Sequence, residues 1–524
     1  MANKTLFSKV MDKLLPFTDV VNESGGVAYA LTPKQQLAQF AATGCFNTTF
    51  YASGEDQLAK VIDLASRIEP EFVAKVALYA RAKGHMKDMP ALLAAVLSVT
   101  SPGLMGEVFD RVIDSPKMLR NFVQIMRSGA VARKSLGSLP KRLVLQWIEQ
   151  RSDDQLFRAS VGNSPSLADI VKMVHPKPAT AARAALFGYL VGKPYDASAL
   201  PALVKQFEVF KENPNMFTAE QVPQVPMDML TSLALQPRHW KALAISASWQ
   251  TLRMNLNTFT RHGVFKDKQM VAHAAAKLRD REQIARSRVF PYQLMAAYMN
   301  AGDEVPGALK TALQDAMELA IGNVPSVDGQ VWVFPDVSGS MQSPVTGHRK
   351  GSTTKVRCVD VAALVAAAVL RKNPDAGVVP FSDDVVKVNL NPRDSVMTNA
   401  RKLAGLPSGG TNCSAPLRHL NERKLAGDLV IYVSDNESWM DSRGWQLGRS
   451  TQTMAEWQEF KRRNPAAKLV CLDIQPYGST QAPDRTDILN IGGFADSVFS
   501  VIAEFNNSTL HPDHWVGVIE KEVI

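Results

Sequence analysis

Apolar positions follow two regimes that meet near residue 325. From about residue 32 to 323 they recur at helical spacing, in short segments closed by glycine or proline. Leu31-Thr32-Pro33 places a capping residue before a proline at the first helical position. Segments 71–83 and 90–97 are Ala/Leu-rich and end quickly. Repeated short helices joined by tight turns predict antiparallel pairs stacked into a solenoid. No strict repeat period is visible, so a compact helical domain is the alternative. Residues 221–240 are proline-rich and read as a connection, with apolar helical sequence over 240–265. Beyond 325 the pattern changes to buried runs of β-formers alternating with helical segments. Strands are expected at 331–334, 377–381, 385–388, 429–434 and 469–474, and helices at 355–371, 415–422 and 454–463. That alternation is what a doubly wound parallel sheet requires.

One helix carries more than packing information. In residues 115–129 serine caps, proline opens and glycine closes the segment, while Leu119, Phe122, Val123 and Met126 share one face. Lys117, Arg120 and Arg127 fall outside that stripe, and Arg133-Lys134 and Lys141-Arg142 follow directly. No acidic residue occurs from Ser115 to Trp147. A solvated face normally mixes both signs, so this run is expected to bind a phosphate backbone. The cluster Arg279, Arg281, Arg286 and Arg288 is diluted by Asp280 and Glu282 and is expected to be an ordinary solvated face. Aromatic residues are not interleaved with the cations, which argues against stacking on bases.

Composition bounds the rest. A length of 524 residues suggests two or three domains, and 46% hydrophobic with 21% charged residues suits a globular, soluble chain. The cysteines, Cys45, Cys358, Cys413 and Cys471, are far apart and form no CxxC pair, which implies a reducing, cytoplasmic setting and no structural zinc. The first twenty residues alternate charged and apolar positions, unlike a signal peptide, and the longest apolar run, 361–370, is too short to span a bilayer. The net charge of +9 is uneven: residues 1–325 hold 38 basic and 28 acidic residues, the remainder 21 and 22. The basic excess therefore lies outside the second regime, and suggests a polyanionic partner for the first.

The second regime carries its own chemistry. Strand 331–334 runs into Asp336-Val-Ser338-Gly-Ser340, which is one carboxylate and two hydroxyls at alternate positions. Such oxygen ligands suit a hard divalent cation, Mg2+ or alternatively Mn2+, with a coordination position left for an acidic group. Leu406-Pro-Ser-Gly-Gly-Thr411 adds a hydroxyl on a glycine-rich turn, and strand 429–434 ends in Asp435. In a parallel sheet such loops gather at the carboxyl ends of the strands. The alternative is that Asp336 and Asp435 merely cap helices.

The combination resembles the von Willebrand factor A domain with its metal-ion-dependent adhesion site. The resemblance implies Asp336, Ser338, Ser340, Thr411 and Asp435 as the metal set. Asn22-Glu-Ser-Gly-Gly-Val-Ala-Tyr29, Thr43-Gly-Cys-Phe-Asn-Thr-Thr49, Gly84-His-Met-Lys-Asp-Met-Pro-Ala-Leu92, Arg127-Ser-Gly-Ala-Val-Ala-Arg-Lys134 and Val174-His-Pro-Lys-Pro178 resemble the TROVE module of the Ro ribonucleoproteins. Two modules in that order cover almost the whole chain and imply a bacterial-type Ro protein. The implied fold is an α-helical, HEAT-like repeat ring (solenoid) closed by an α/β, doubly wound von Willebrand factor A domain. Expected boundaries are 1–325 for the helical module, 326–506 for the metal domain and 507–524 for a tail able to pack back on the ring.

The implied function is that of a noncatalytic scaffold for RNA quality control or degradation. By resemblance the outer ring binds small noncoding Y-type RNA and the central hole takes single-stranded 3′ ends of defective structured RNA. A Y RNA tether to polynucleotide phosphorylase is a further implied partnership, with neither DNA nor membrane expected. His175 matches a family histidine implicated in Y RNA contact, with Lys172 and Lys177 as neighbours. The loop 161–165 departs from the basic and aromatic character of animal members. Two other readings stand beside this one. The first is a metal-dependent protein-interaction adaptor of the von Willebrand A type. The second is a metal-dependent nuclease using Asp435 and Glu437, although hydroxyl ligands suit carboxylate capture better than two-metal hydrolysis.

Overall fold

The structure is a computed structural model. It describes residues 15–524 apart from 45, 163, 288, 290, 322–323, 325, 349–355, 443–448, 494–495 and 511–512. Cys45, Arg288 and the expected helix start at 355 lie outside the described residues. Compactness divides the chain along other lines than its sequence modules. One unit comprises 1–89, 289–296 and 317–523, and the other 90–288, 297–316 and 524.

The first unit is built on strands. Near the N-terminus β1 (Val20–Val21) and β2 (Val27–Ala30) form an antiparallel pair. Then come β3 (Val331–Pro335), β4 (Gly377–Val378), β5 (Leu429–Ser434), β6 (Lys468–Asp473), β7 (Ser479–Thr480) and β8 (Ile488–Gly492). The main sheet runs β4-β3-β5-β6-β8 with every pairing parallel, while β2 pairs antiparallel with β7. The chain passes from β3 outward to β4 and then returns to β5 on the other side of β3. This reversal opens a crevice at the carboxyl ends of β3 and β5, where a doubly wound sheet binds ligands. Strands buried on both faces read as continuous apolar runs, as 429–434 does. One face packs Phe334, Val430, Tyr432, Leu469 and Ile488 against Met454, Trp457 and Phe460 of the helix Gln452–Arg463.

Two expected strands differ. Only Gly377–Val378 of 377–381 is a strand, because Pro380 has no N–H to donate. The path still follows β3, with Val379 N and Phe381 N donating to Val333 O and Pro335 O. The expected strand 385–388 is reduced to a single bridge between Phe381 and Val385, its Val386 N donating back to Pro380 O. The C-terminal helix His514–Glu520 packs against Pro33–Thr43 and Pro70–Ala82. Glu520 accepts from Lys34 Nζ through its carboxylate and from Lys75 Nζ through its backbone carbonyl, both at 2.9 Å. The tail thus docks on the helices that begin the helical regime.

The second unit is helical. Pro102–Val112 packs on Ser138–Glu149, which together with Pro116–Ser128 packs on Leu167–Val174. Leu167–Val174 packs on Ala181–Val191, and Asp153–Ala159 touches both Ala181–Val191 and Ala202–Glu212. Each helix meets near neighbours in sequence, which is the stacking pattern of helical repeats. In Pro116–Ser128 the Ser115 hydroxyl accepts from Met118 N, and Gly129 closes the helix in the left-handed region at φ 89°. Met118, Leu119, Phe122, Val123 and Met126 are buried, which matches the apolar stripe. Arg279 pairs with Asp315 at 2.6 Å, as a solvated face does. No described helix is long and apolar enough to cross a membrane.

Candidate functional site

The oxygen set assembles where the sheet reverses. Asp336 follows β3 and its N–H donates to Val433 O of β5, so the register of the two strands sets the carboxylates beside each other. Ser338 N donates to Asp336 Oδ1 at 2.8 Å, and Ser434 Oγ donates to Asp336 Oδ2 at 2.6 Å. Ser338 Oγ and Ser340 Oγ stand 3.3 Å apart, and Glu437 N donates to Asp435 Oδ1 at 3.3 Å. Gly339 N donates to Gly409 O at 2.9 Å, fastening this loop to 406–412. Trp439 N and Met440 N donate to Thr411 O and tie that loop to the one after β5. Ser438 Oγ also reaches Thr411 O, at 3.3 Å. Three loops from separate stretches thus bring Asp336, Ser338, Ser340, Thr411 and Asp435 to one place, each at most 4% exposed.

Electrostatics shows what the set lacks. Burial, then the charge of Asp435, pushes the Asp336 carboxyl up to about 7, and burial raises Asp435 as well. Two buried carboxylates resist joint ionisation unless a proton or cation neutralises them. Among the described residues neither forms an ion pair with lysine or arginine. Glu437, two residues on, is held well above the usual carboxylate range by burial and by Asp435, and its Oε1 is buried without a hydrogen-bond partner. Oxygen donors, mixed charge and this unbalanced negative field fit a hard divalent cation.

Several residues at this site carried no motif. Ser434 orients Asp336, and Asn436 Nδ2 donates to Asp473 from a left-handed backbone at φ 58°. Ser24 N donates to Glu437 Oε2 at 3.2 Å, and Asn22 Nδ2 donates to Ser438 O at 2.8 Å. Burial, and after it the charge of Asp435, holds the Tyr51 phenol above its usual range. Ser434 could be found as the polar end of an apolar strand. Tyr51 had no such signal.

The cationic residues lie in the second unit. Lys117, Arg127, Lys134, Arg142, Lys172, His175 and Lys177 are exposed, and Arg120, Arg133 and Lys141 are half-buried. Arg127 and Lys172 come together around Asp169, whose carboxyl lies below its usual range through the Ser166 hydroxyl and then, more weakly, these two cations. His175 ends the same helix as Lys172, in the left-handed region at φ 52°. Lys177 lines a cleft of about 340 Å3 with Asp153, Arg183 and Phe187. Two of the ten donate side-chain hydrogen bonds within the protein. Arg120 donates to Ala159 O and covers the backbone of Gly162, while Arg133 donates to Ser98 O at 2.8 Å.

Known proteins resemble this chain over much of its length. Residues 331–506 match the family described as the Ro60 vWA domain. The chain is 25% identical over 518 residues to the RNA-binding protein RO60 of Deinococcus radiodurans, covering 93% of this chain and 95% of that one. It is 24% identical over 278 residues to the RNA-binding protein RO60 of Caenorhabditis elegans, covering 51% of this chain and 41% of the other. The crystal structure of the Deinococcus radiodurans RO (RSR) protein superposes with a TM-score of 0.61 at 22% identity, covering 91% of this chain and 100% of that one. The helical unit and the parallel-sheet domain therefore share their fold with a Ro protein of known structure. Residues 331–506 thus resemble the Ro60 vWA domain, and the chain is similar to an RNA-binding protein RO60 over nearly its whole length.

Proposed function

We propose that this chain is a cytoplasmic, noncatalytic RNA-binding scaffold of a Ro ribonucleoprotein. The observation that carries the reading is the exposed cation set Lys117, Arg127, Lys134, Arg142, Lys172 and Lys177, gathered in one compact unit. Its supporting context is a stretch without acid from Ser115 to Trp147, and relatives named as RNA-binding proteins. These side chains meet phosphate oxygens, and His175 supplies a ring nitrogen at the same helix end. Contacts of this kind position an RNA by its backbone and leave sequence selection to RNA shape. A small structured RNA of the Y type is the ligand we assign to this face. Single-stranded 3′ ends of defective structured RNA are the second class of ligand, passed to a partner nuclease such as polynucleotide phosphorylase.

In the same proposal Asp336, Ser338, Ser340, Thr411 and Asp435 hold one divalent cation, Mg2+ or Mn2+. Bound there, the cation supplies positive charge between two buried carboxylates and a coordination position for one further oxygen. Ser434 and Ser338 N hold Asp336 in place, and Glu437 N holds Asp435. Among the described residues no three His, Cys, Asp or Glu side chains gather to hold a metal. A pair of carboxylates padded with hydroxyls supports capture of an oxygen ligand over two-metal hydrolysis.

The test is crosslinking of the full-length protein to RNA in its native cells, with sequencing of what is bound. The expected result is one abundant small structured RNA, crosslinked within residues 115–178. Recovery of no enriched RNA overturns the reading in favour of a protein-interaction adaptor, and RNA cut by the purified protein in Mg2+ overturns its noncatalytic part.

A further inference from the structure

The helical unit holds a cleft whose chemistry differs from the basic residues around it. Its volume of about 340 Å3 lies near the lower end of the roughly 300–1,000 Å3 usual for small-ligand sites. One wall is fixed by Arg183, which pairs with Asp153 and donates to Arg151 O at 2.6 Å and Ile148 O at 3.4 Å. That pair neutralises itself, so neither member offers a charge to a ligand. Two charged groups remain. Lys177 and Glu149 are exposed and line the same cleft, and among the described residues neither forms a hydrogen bond or ion pair. Glu149 is the first acid after the acid-free stretch that begins at Ser115. A carboxylate repels phosphate, so it has no use on a face that meets only the RNA backbone. It suits the N–H donors of a base edge. Ser152 and Thr180 add hydroxyls, which accept from Gln155 N at 3.2 Å and Arg183 N at 3.0 Å as helix caps. Each keeps its own O–H to donate.

We propose that this cleft takes one unpaired guanine of the bound RNA. Glu149 accepts from the guanine N1–H and N2–H2, a cap hydroxyl donates to O6, and Lys177 meets the adjoining phosphate. Guanine is the base whose pairing edge sets two donors side by side, followed by an acceptor. One carboxylate takes both donors together. Adenine, cytosine and uracil each place an acceptor beside their donor, and a carboxylate, which only accepts, repels it. The base is read by its edge and not by stacking, in keeping with cations that have no interleaved aromatics. This inference rests on the RNA reading given above and extends it, since at one nucleotide selection goes beyond RNA shape.

Fluorescence polarisation of the full-length protein with labelled pentanucleotides UUGUU, UUAUU, UUCUU and UUUUU tests it, because a short strand can slide to place any nucleotide in the cleft. Wild type is expected to bind UUGUU about tenfold tighter than the other three, the discrimination of a good two-bond base contact. Glu149→Gln keeps the size of an exposed side chain and removes its charge, so the preference should shrink to about twofold or less. Lys177→Ala should weaken all four strands alike and keep their ratio. Equal affinities for the four strands in wild type, or a guanine preference that survives Glu149→Gln, overturn the cleft. A small structured RNA hairpin measured alongside separates the two kinds of failure. Where the hairpin binds and the strands show no preference, the cleft alone falls. Where neither hairpin nor strand binds, the RNA reading fails and the cleft falls with it.

Discussion

At the scale of single residues the two candidate sites behave oppositely toward burial. Asp336 and Asp435 are charges withdrawn from water, so their folding cost is relieved only by a cation or a proton. Mg2+ at about a hundred times its dissociation constant should stabilise wild type by roughly 2.7 kcal/mol, by mass action on the folded state alone. Asp336→Ala should abolish that gain, read as melting midpoints with and without chelator; equal midpoints in wild type would remove the cation from the account. The basic residues divide by exposure. Arg120 is half-buried, holds Ala159 O and packs over Gly162, where a β carbon would meet its guanidinium at 2.8 Å. Arg120→Ala should therefore cost about 1 kcal/mol in urea unfolding, the worth of a lost intramolecular hydrogen bond. Lys117→Ala, fully at the surface, should stay within about 0.5 kcal/mol of wild type. Equal losses at both positions would contradict the division.

Whole elements show which sequence signals survive folding. Pro116–Ser128 was legible from end to end because its cap, proline, apolar stripe and terminal glycine all agree. Ser115→Ala should lower stability by about 1 kcal/mol through the lost cap, measured by urea denaturation, without changing RNA affinity. Strands β3 and β5 were legible too, since burial on both faces leaves an uninterrupted apolar run. β8 was not, because Asn490 and Gly492 break its pattern and Asn490 spends its side chain on Thr480, Ala482 and Asp484. The pairing of β2 with β7 joins residues 29 and 480, and no local pattern predicts so distant a partner. The same contrast runs through the proposed metal site. Its five oxygen residues sit in loops that each carry a motif, whereas Tyr51 arrives from a turn without one. Thr48 bridges His348, which ties that turn to the segment after Ser340.

Across the whole molecule, the cation set and the oxygen set belong to different compact units. Their functions should therefore separate in mutants. The proposed RNA interface acts through phosphate neutralisation, so affinity should fall linearly with the logarithm of salt concentration. Replacing Lys117, Arg127, Lys134 and Lys172 together by alanine should flatten that slope by about three, at roughly 0.7 to 0.9 for each phosphate no longer neutralised. The same variant should keep its stabilisation by Mg2+, because none of the four touches Asp336 or Asp435. Conversely, Asp336→Ala should lose the response to Mg2+ and retain both the RNA affinity and the salt slope of wild type. Filter binding of a small structured RNA across a salt series, with melting curves on the same preparations, reads both halves. An unchanged slope in the fourfold variant would move the RNA to another face. A slope altered by Asp336→Ala would mean that metal and RNA are linked through the fold, since a change of charge at a buried carboxylate cannot itself free a phosphate from its cation.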